Sequence, residues 1–121
     1  ILFFVLRKYN LYFKKMSNLD RIKQIKIILN DTPDDEFLNY ALAIEYVSIG
    51  KLTDALELFE KLVVKSPQYF ATYYHLGKLH EKLNDPDNAQ KIYEAGLLIT
   101  KKLNENHAHK ELRGALDELL Y

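Results

Sequence analysis

The sequence predicts an all-α fold of antiparallel helix-turn-helix repeats stacked side by side, and three observations carry that expectation. From residue 17 onward apolar side chains recur at threes and fours, and no stretch alternates in twos over a strand's length. Turn-forming residues divide the same region into six stretches of helical length. Residue sizes also recur at intervals of 34 positions through the middle of the chain.

The elements follow from their punctuation. "SNLD" is a capping-box-like start, in which Ser17 offers an acceptor to the exposed amides of the first turn and Asp20 sits near the positive end of the helix. Leu19, Ile22, Ile25 and Ile28 then make one stripe, giving a helix over 17–30 that ends at "NDTP". In "TPDD", Thr32 is the expected cap of a second helix, with Pro33 in the first turn where its missing N–H does no harm. That helix runs to Gly50, a natural left-handed terminator. Thr53 is expected to cap a third, which stops before Pro67. A fourth runs from Tyr69 to Leu83, with Asn84 in the left-handed role. Asp85 and Pro86 open a fifth that ends near Leu103. A sixth occupies 106–120, with Ala108, Leu112, Ala115, Leu116 and Leu119 turned inward. Short loops between helices of this length make successive helices antiparallel neighbours.

Composition narrows the function classes. At 121 residues and 48% hydrophobic, the chain suits one domain with its own core. Zero cysteines exclude disulfides, thiolate metal sites and Cys nucleophiles, and accord with a cytoplasmic location. The net charge is zero but uneven: residues 1–16 hold Arg7, Lys8, Lys14 and Lys15 with no acid, and the remainder is correspondingly acidic. A mildly acidic body weighs against nucleic-acid binding, which needs a basic face for phosphates. "ILFFVL" at the start falls short of the roughly 20 apolar residues of a membrane span. It also lacks the order of charge, apolar run and small residues that marks a signal peptide. The expectation is that residues 1–16 are an upstream extension before a natural start at Met16. The rival reading is an anchor remnant, with the four cations as its positive-inside flank; a membrane role is otherwise not expected.

The repeat is explicit once the helix pairs are aligned. Leu42, Ala43, Tyr46, Ala55, Phe59 and Pro67 are followed 34 positions later by Leu76, Gly77, His80, Ala89, Tyr93 and Lys101. Asn39 likewise pairs with Tyr73, and Gly50 with Asn84. This spacing resembles the tetratricopeptide repeat (TPR) family, whose helix–turn–helix unit reads W-x2-L-G-x2-Y…A-x3-F…P. The first repeat matches at Leu42, Tyr46, Ala55, Phe59 and Pro67, has Ala43 for Gly, and departs at Asn39, the Trp position. The second matches at Leu76, Gly77 and Ala89, keeps aromatic rings at Tyr73 and Tyr93, and departs at His80 and Lys101. Small residues let the two helices of a repeat approach closely, and the large ring of Phe59 or Tyr93 fills the space between successive repeats.

The resemblance implies a short right-handed solenoid with repeats at about 36–69 and 70–103. Pro33 lies 34 positions before Pro67, so the helix over 17–30 reads as a preceding half-repeat, with Arg21 where a small residue belongs. The helix over 106–120 reads as a capping helix, because it fits a third repeat only with about two inserted residues and with Arg113 at the small position. The domain therefore spans 17–121.

No catalytic constellation emerges, and neither enzyme activity nor a cofactor or metal is expected. His80 takes the place of Tyr46 and is expected to pack inward with a hydrogen-bond partner. His75, five residues earlier, points about 140° away, and His107 and His109 diverge by about 200°. "HEKLN" lacks the second His of H-E-x-x-H. Ser17, Ser48 and Ser66 lie at caps or loops, without a nucleophile elbow.

What the resemblance implies instead is protein or peptide binding in a concave groove lined by the first helix of each repeat. Here those positions are Phe37, Tyr40, Ala41, Ile44, Val47 and Ser48, then Ala71, Tyr74, His75, Lys78, Glu81 and Lys82. All but the small residues Ala41, Ser48 and Ala71 are candidate partner-binding residues. The first set is apolar and aromatic and the second polar, with Tyr40 and Tyr74 at equivalent places as an aromatic ladder. The Lys/Asn clamp with which some family members hold a C-terminal carboxylate is absent, since Tyr40, Ile44 and His75 occupy its positions. The expected function is a non-enzymatic adaptor or scaffold that holds an extended or helical segment of a protein partner. Self-association as a homodimer is the alternative, and a membrane-tethered adaptor follows if residues 1–16 end an anchor.

Overall fold

The computed structural model describes residues 17–121, so the expectation for residues 1–16 lies outside the described part. Six helices are present among the described residues: α1 (Asn18–Asp31), α2 (Glu36–Ser48), α3 (Leu52–Lys65), α4 (Ala71–Lys82), α5 (Pro86–Lys102) and α6 (Asn106–Leu120). No strand occurs among the described residues, and none of their helices is long and apolar enough to cross a membrane.

Two kinds of turn, each reused at the repeat interval, set these boundaries. α2 closes at Gly50 (φ +80°) and α4 at Asn84 (φ +58°), the left-handed stops expected from sequence. In each the next amide reaches back into the helix, Lys51 N to Tyr46 O at 2.9 Å and Asp85 N to His80 O at 2.8 Å. α1 and α3 instead end at Thr32 and Ser66, whose backbones are nearly superimposable (φ −135° and −136°, ψ 66° and 63°), each followed by proline. A residue before proline is pushed out of the helical region, so the chain stops there.

That geometry corrects two caps. Thr32 closes α1 rather than opening α2; Asp35 is the N-cap, accepting from Leu38 N at 2.8 Å. Thr53 lies inside the first turn of α3, because the Gly50 turn reverses the chain so quickly that Lys51 is already the N-cap. α4 also begins at Ala71 rather than Tyr69, whose amide is tied to Ser66 O in the turn. Ser17 and Asp85 cap α1 and α5 through Asp20 N and Asn88 N, as expected.

Each helix packs on its neighbour in the chain. Beyond that, α2 touches α4 and α4 touches α6, with no comparable contact between α1 and α3 or between α3 and α5. α2, α4 and α6 therefore draw together while α1, α3 and α5 splay, which curves the stack and makes α2, α4 and α6 its inner wall.

The core obeys the size rule read from the repeat. Ala43, Ala55, Phe59, Ala89 and Tyr93 are all fully buried. One cluster gathers around Phe59 and another around Tyr93, with Val63 and Ile92 packed against both. Fully burying each such ring contributes about 1.5–3 kcal/mol. Gly77 is glycine because the ring of Tyr93 lies where its side chain would be: a Cβ there would sit 2.1 Å from Tyr93 Cε1. Gly96 makes a second close approach, its Cβ position being 2.6 Å from Tyr73 Cβ and 2.9 Å from Leu112 Cδ1.

The departures from the family pattern also have local reasons. Asn39 replaces an aromatic yet does the same job as Tyr73: its amide donates to Pro33 O at 2.9 Å, and the Tyr73 hydroxyl donates to Pro67 O. Arg21, where a small residue belongs, reaches Glu45 of α2 at 2.7 Å, and Asn18 donates to the same carboxylate at 3.1 Å. That polar clasp occupies the α1–α2 seam at its N-terminal end. Leu19, expected on the inward stripe, is 67% exposed, while Ile22 and Ile25 are buried.

Candidate binding groove

The inner wall brings together residues of α2 and α4 that are about one repeat apart in sequence. Ile44 and Val47 of α2 face His75, Lys78, Leu79 and Lys82 of α4 across a cleft of about 280 Å³. Five of the nine candidate partner-binding residues thus line one space. Phe37 stands half exposed outside it on α2.

An aromatic row runs beside the cleft. The Tyr40 ring lies 5.6 Å from Tyr69 and 5.5 Å from His75, and His75 lies 5.4 Å from Tyr74. The ladder expected between Tyr40 and Tyr74 is therefore bridged by an imidazole. Tyr40 also meets Phe59 edge-on at 6.4 Å, so it belongs partly to the core. Burial raises the Tyr40 phenol above its ordinary value, and the Glu111 carboxylate adds to the shift. Tyr69 is pushed up to about 12, by burial first and then by Tyr40, Glu36 and Asp35. Burial lowers His75 below its usual 6.5 by disfavouring the charged ring, against an opposing pull from the Glu111 carboxylate.

The far side of α4 is tied down internally. Lys78 Nζ sits 5.7 Å above the Tyr74 ring, 3.5 Å from Glu81 and 3.9 Å from Glu118. Glu81 in turn accepts the hydroxyl of buried Tyr93, whose pKa is raised by burial and by this bond. Glu81, expected to face a partner, is thus engaged within the fold.

Two groove residues escaped the sequence reading, Glu111 and Glu118 on α6. The signal was available: shifting α6 by 36 positions instead of 34 sets Glu111 on His75 and Glu118 on Lys82. The helix expected to act as a cap thus stands as a third wall beside α2 and α4.

The four histidines do not converge. His80 is buried with Nδ1 3.8 Å from Asp85, His109 meets Thr100 Oγ1 at 3.0 Å, and His107 pairs with Glu111 at 2.7 Å. No group of three or more His, Asp or Glu among the described residues is placed to hold a metal ion. A larger cleft of about 370 Å³ lies between the α1–α2 turn and α3, but holds none of the groove residues. Lys65 and Asp34 pair across it at 3.3 Å, and Asn39 is spent on Pro33, so its polar groups are largely satisfied within the fold.

The sequence pattern of the tetratricopeptide repeat matches residues 47–116, more than half of the chain. The chain belongs to the tetratricopeptide repeat family. It is similar to a tetratricopeptide repeat domain protein from Salinibacter ruber, solved by solution NMR: 39% identity over 72% of this chain and 88% of that one, with a TM-score of 0.70. The fold is also that of the TPR2B domain of yeast Sti1, solved in a complex with pHsp70 (TM-score 0.82, 91% of this chain and 88% of that one, 14% identity). A Bordetella parapertussis protein shares it as well (TM-score 0.72, 82% and 86% coverage, 22% identity). No curated protein matches the sequence. Family membership accords with the 34-residue reuse of turns and side-chain sizes.

Proposed function

We propose that the inner wall of α2, α4 and α6 binds an extended or helical segment of a protein partner and performs no chemistry. The observation that carries this is the cleft between α2 and α4, bordered by the Tyr40–His75–Tyr74 row. Rigid aromatic side chains give contact area at little entropic cost, which suits recognition. Membership in the TPR family supports an interaction module, and so does the likeness to a yeast domain whose structure was solved with pHsp70.

Tyr40 packs on the core ring Phe59, so the test uses Val47→Asp with Tyr74→Ala, which spares that contact. The double variant is expected to keep its helical circular dichroism and to lose partners that the parent retains on affinity purification from its native cell. A control at Lys91, exposed on α5, is expected to keep them. Equal recovery by parent and groove variant would sink the proposal.

Self-association is the second reading. Val64 and Leu98, 34 positions apart on α3 and α5, are 81% and 72% exposed, an apolar pair on the outer helices. Light scattering that finds a monomer at tens of micromolar removes it.

A further inference from the structure

The cleft between α2 and α4 differs in charge from the rest of the groove. Its floor is Ile44, Val47 and Leu79, its rim carries Lys78 and Lys82, and no carboxylate lines it. Of the acids beside the groove, Glu81 on α4 is engaged by Tyr93, while on α6 Glu118 approaches Lys78 and Glu111 lies 2.7 Å from His107. Lys78 is further occupied by Glu81 and by the Tyr74 ring. Lys82, one turn along α4, is exposed and has no ion pair among the described residues. About 280 Å³ is smaller than most small-molecule sites, which run roughly 300–1,000 Å³, and is the size of a slot for a side chain or two.

Resting on the groove reading above, we infer that this cleft selects an acidic–apolar segment of a partner polypeptide. An aliphatic or aromatic side chain seats on Ile44, Val47 and Leu79, and a neighbouring Asp or Glu side chain reaches the uncompensated ammonium of Lys82. The apolar floor supplies the contact, and the lone cation sets the preferred sign of charge beside it. A basic segment would meet Lys82 with like charge, and complementarity of this kind governs partner choice more than raw affinity.

The probe is a random-peptide display library in which every peptide is an internal loop, so that no free carboxyl end is offered. Selection on the parent protein is expected to enrich an aliphatic or aromatic residue close to Asp or Glu. A synthetic winner with blocked ends is expected to bind Lys82→Glu about tenfold more weakly than the parent, and to weaken with salt. Changing its acid to Gln is expected to weaken binding to the parent but hardly to Lys82→Glu. Lys82→Gln, which does not place an acid in the last turn of α4, guards against a helix-end effect and is expected to lose part of the same affinity. Winners that are basic or uncharged, lost on Val47→Asp but indifferent to Lys82, overturn the acidic preference and leave the groove reading intact. Winners indifferent to both Val47→Asp and Lys82→Glu, or no enrichment at all, overturn both.

Discussion

Two glycines inside helices provide a matched test of how the stack is built. Gly77 lies in α4 and Gly114 in α6, and replacing either by alanine brings the same backbone gain, about 1 kcal/mol. The surroundings differ. A Cβ at position 114 meets nothing within 4 Å. At position 77 it falls 2.1 Å from Tyr93 Cε1 and 2.6 Å from both Cδ1 and Cζ. Restoring an ordinary contact of 3.4 Å requires the ring to withdraw by about 1.3 Å.

The ring has no slack to do so, because Tyr93 is fully buried and its hydroxyl is bound to Glu81. Overpacking of this kind costs about 1–3 kcal/mol, and a strained hydrogen bond to a carboxylate forfeits part of another 1.5–3 or so. Gly77→Ala is therefore expected to lose about 2 kcal/mol net, whereas Gly114→Ala gains up to about 1. Urea unfolding followed by far-ultraviolet circular dichroism reads both as midpoint shifts of opposite sign. Tyr93→Leu in the Gly77→Ala background is expected to cost less than the sum of the single changes, since it removes the clash. Equal shifts in one direction for the two alanine variants would refute the packing argument.

Thr72 is fully buried and its Oγ1 has no hydrogen-bond partner among the described residues. Thr72→Val keeps the shape and discards the unpaired hydroxyl, so it is expected to raise stability by about 1 kcal/mol; a lower urea midpoint would contradict this. Alkaline pH tests the aromatic row. Unfolded tyrosines release their protons near 10, while Tyr69 holds its own to about 12. Above about pH 10 the folded state binds more protons than the unfolded, so stability is intact below that point and falls as pH rises towards 12. Tyr69→Phe is expected to flatten this decline, and an unchanged slope would disprove it.

The interior was legible because it is periodic. Small and large side chains 34 positions apart named Ala55, Phe59, Ala89 and Tyr93, and all four are fully buried. The left-handed stops at Gly50 and Asn84 were equally readable, each being a local backbone demand on a residue type. Caps were legible only in part: Ser17 and Asp85 cap as expected, but the N-cap also depends on how tightly the preceding turn closes, and Pro33 and Gly50 decided that against Thr32 and Thr53. Contacts between helices were hidden for another reason. Nothing near Arg21 announces Glu45, and nothing near Tyr40 announces that His75 comes between it and Tyr74, since both depend on how whole helices cross.

The third wall of the groove traces to one missing proline. Pro33 and Pro67 each end a helix and offer a carbonyl to the side chain six residues on, Asn39 or Tyr73. At the next interval the residue is Lys101, which continues a helix readily, so α5 runs 17 residues where α3 runs 14. It closes at Asn104 in the left-handed manner (φ +58°), and although α6 begins 35 positions after α4, as α4 does after α2, its buried register runs about two positions late, with Leu112 following Leu76 by 36. His109 then stands where Asn39 and Tyr73 stood and binds Thr100 Oγ1 instead of a proline carbonyl. The same delay brings Glu111 to the place of His75 and Ala41, where its charge acts on both Tyr40 and His75. A delay shorter or longer by one residue would turn α6 by about 100° and present Lys110 or Leu112 there. The carboxylates that α6 brings to Lys78 and to the Tyr40–His75 pair are thus a consequence of helix length, and restoring the early stop would change the charge of the groove without touching a residue of α2 or α4.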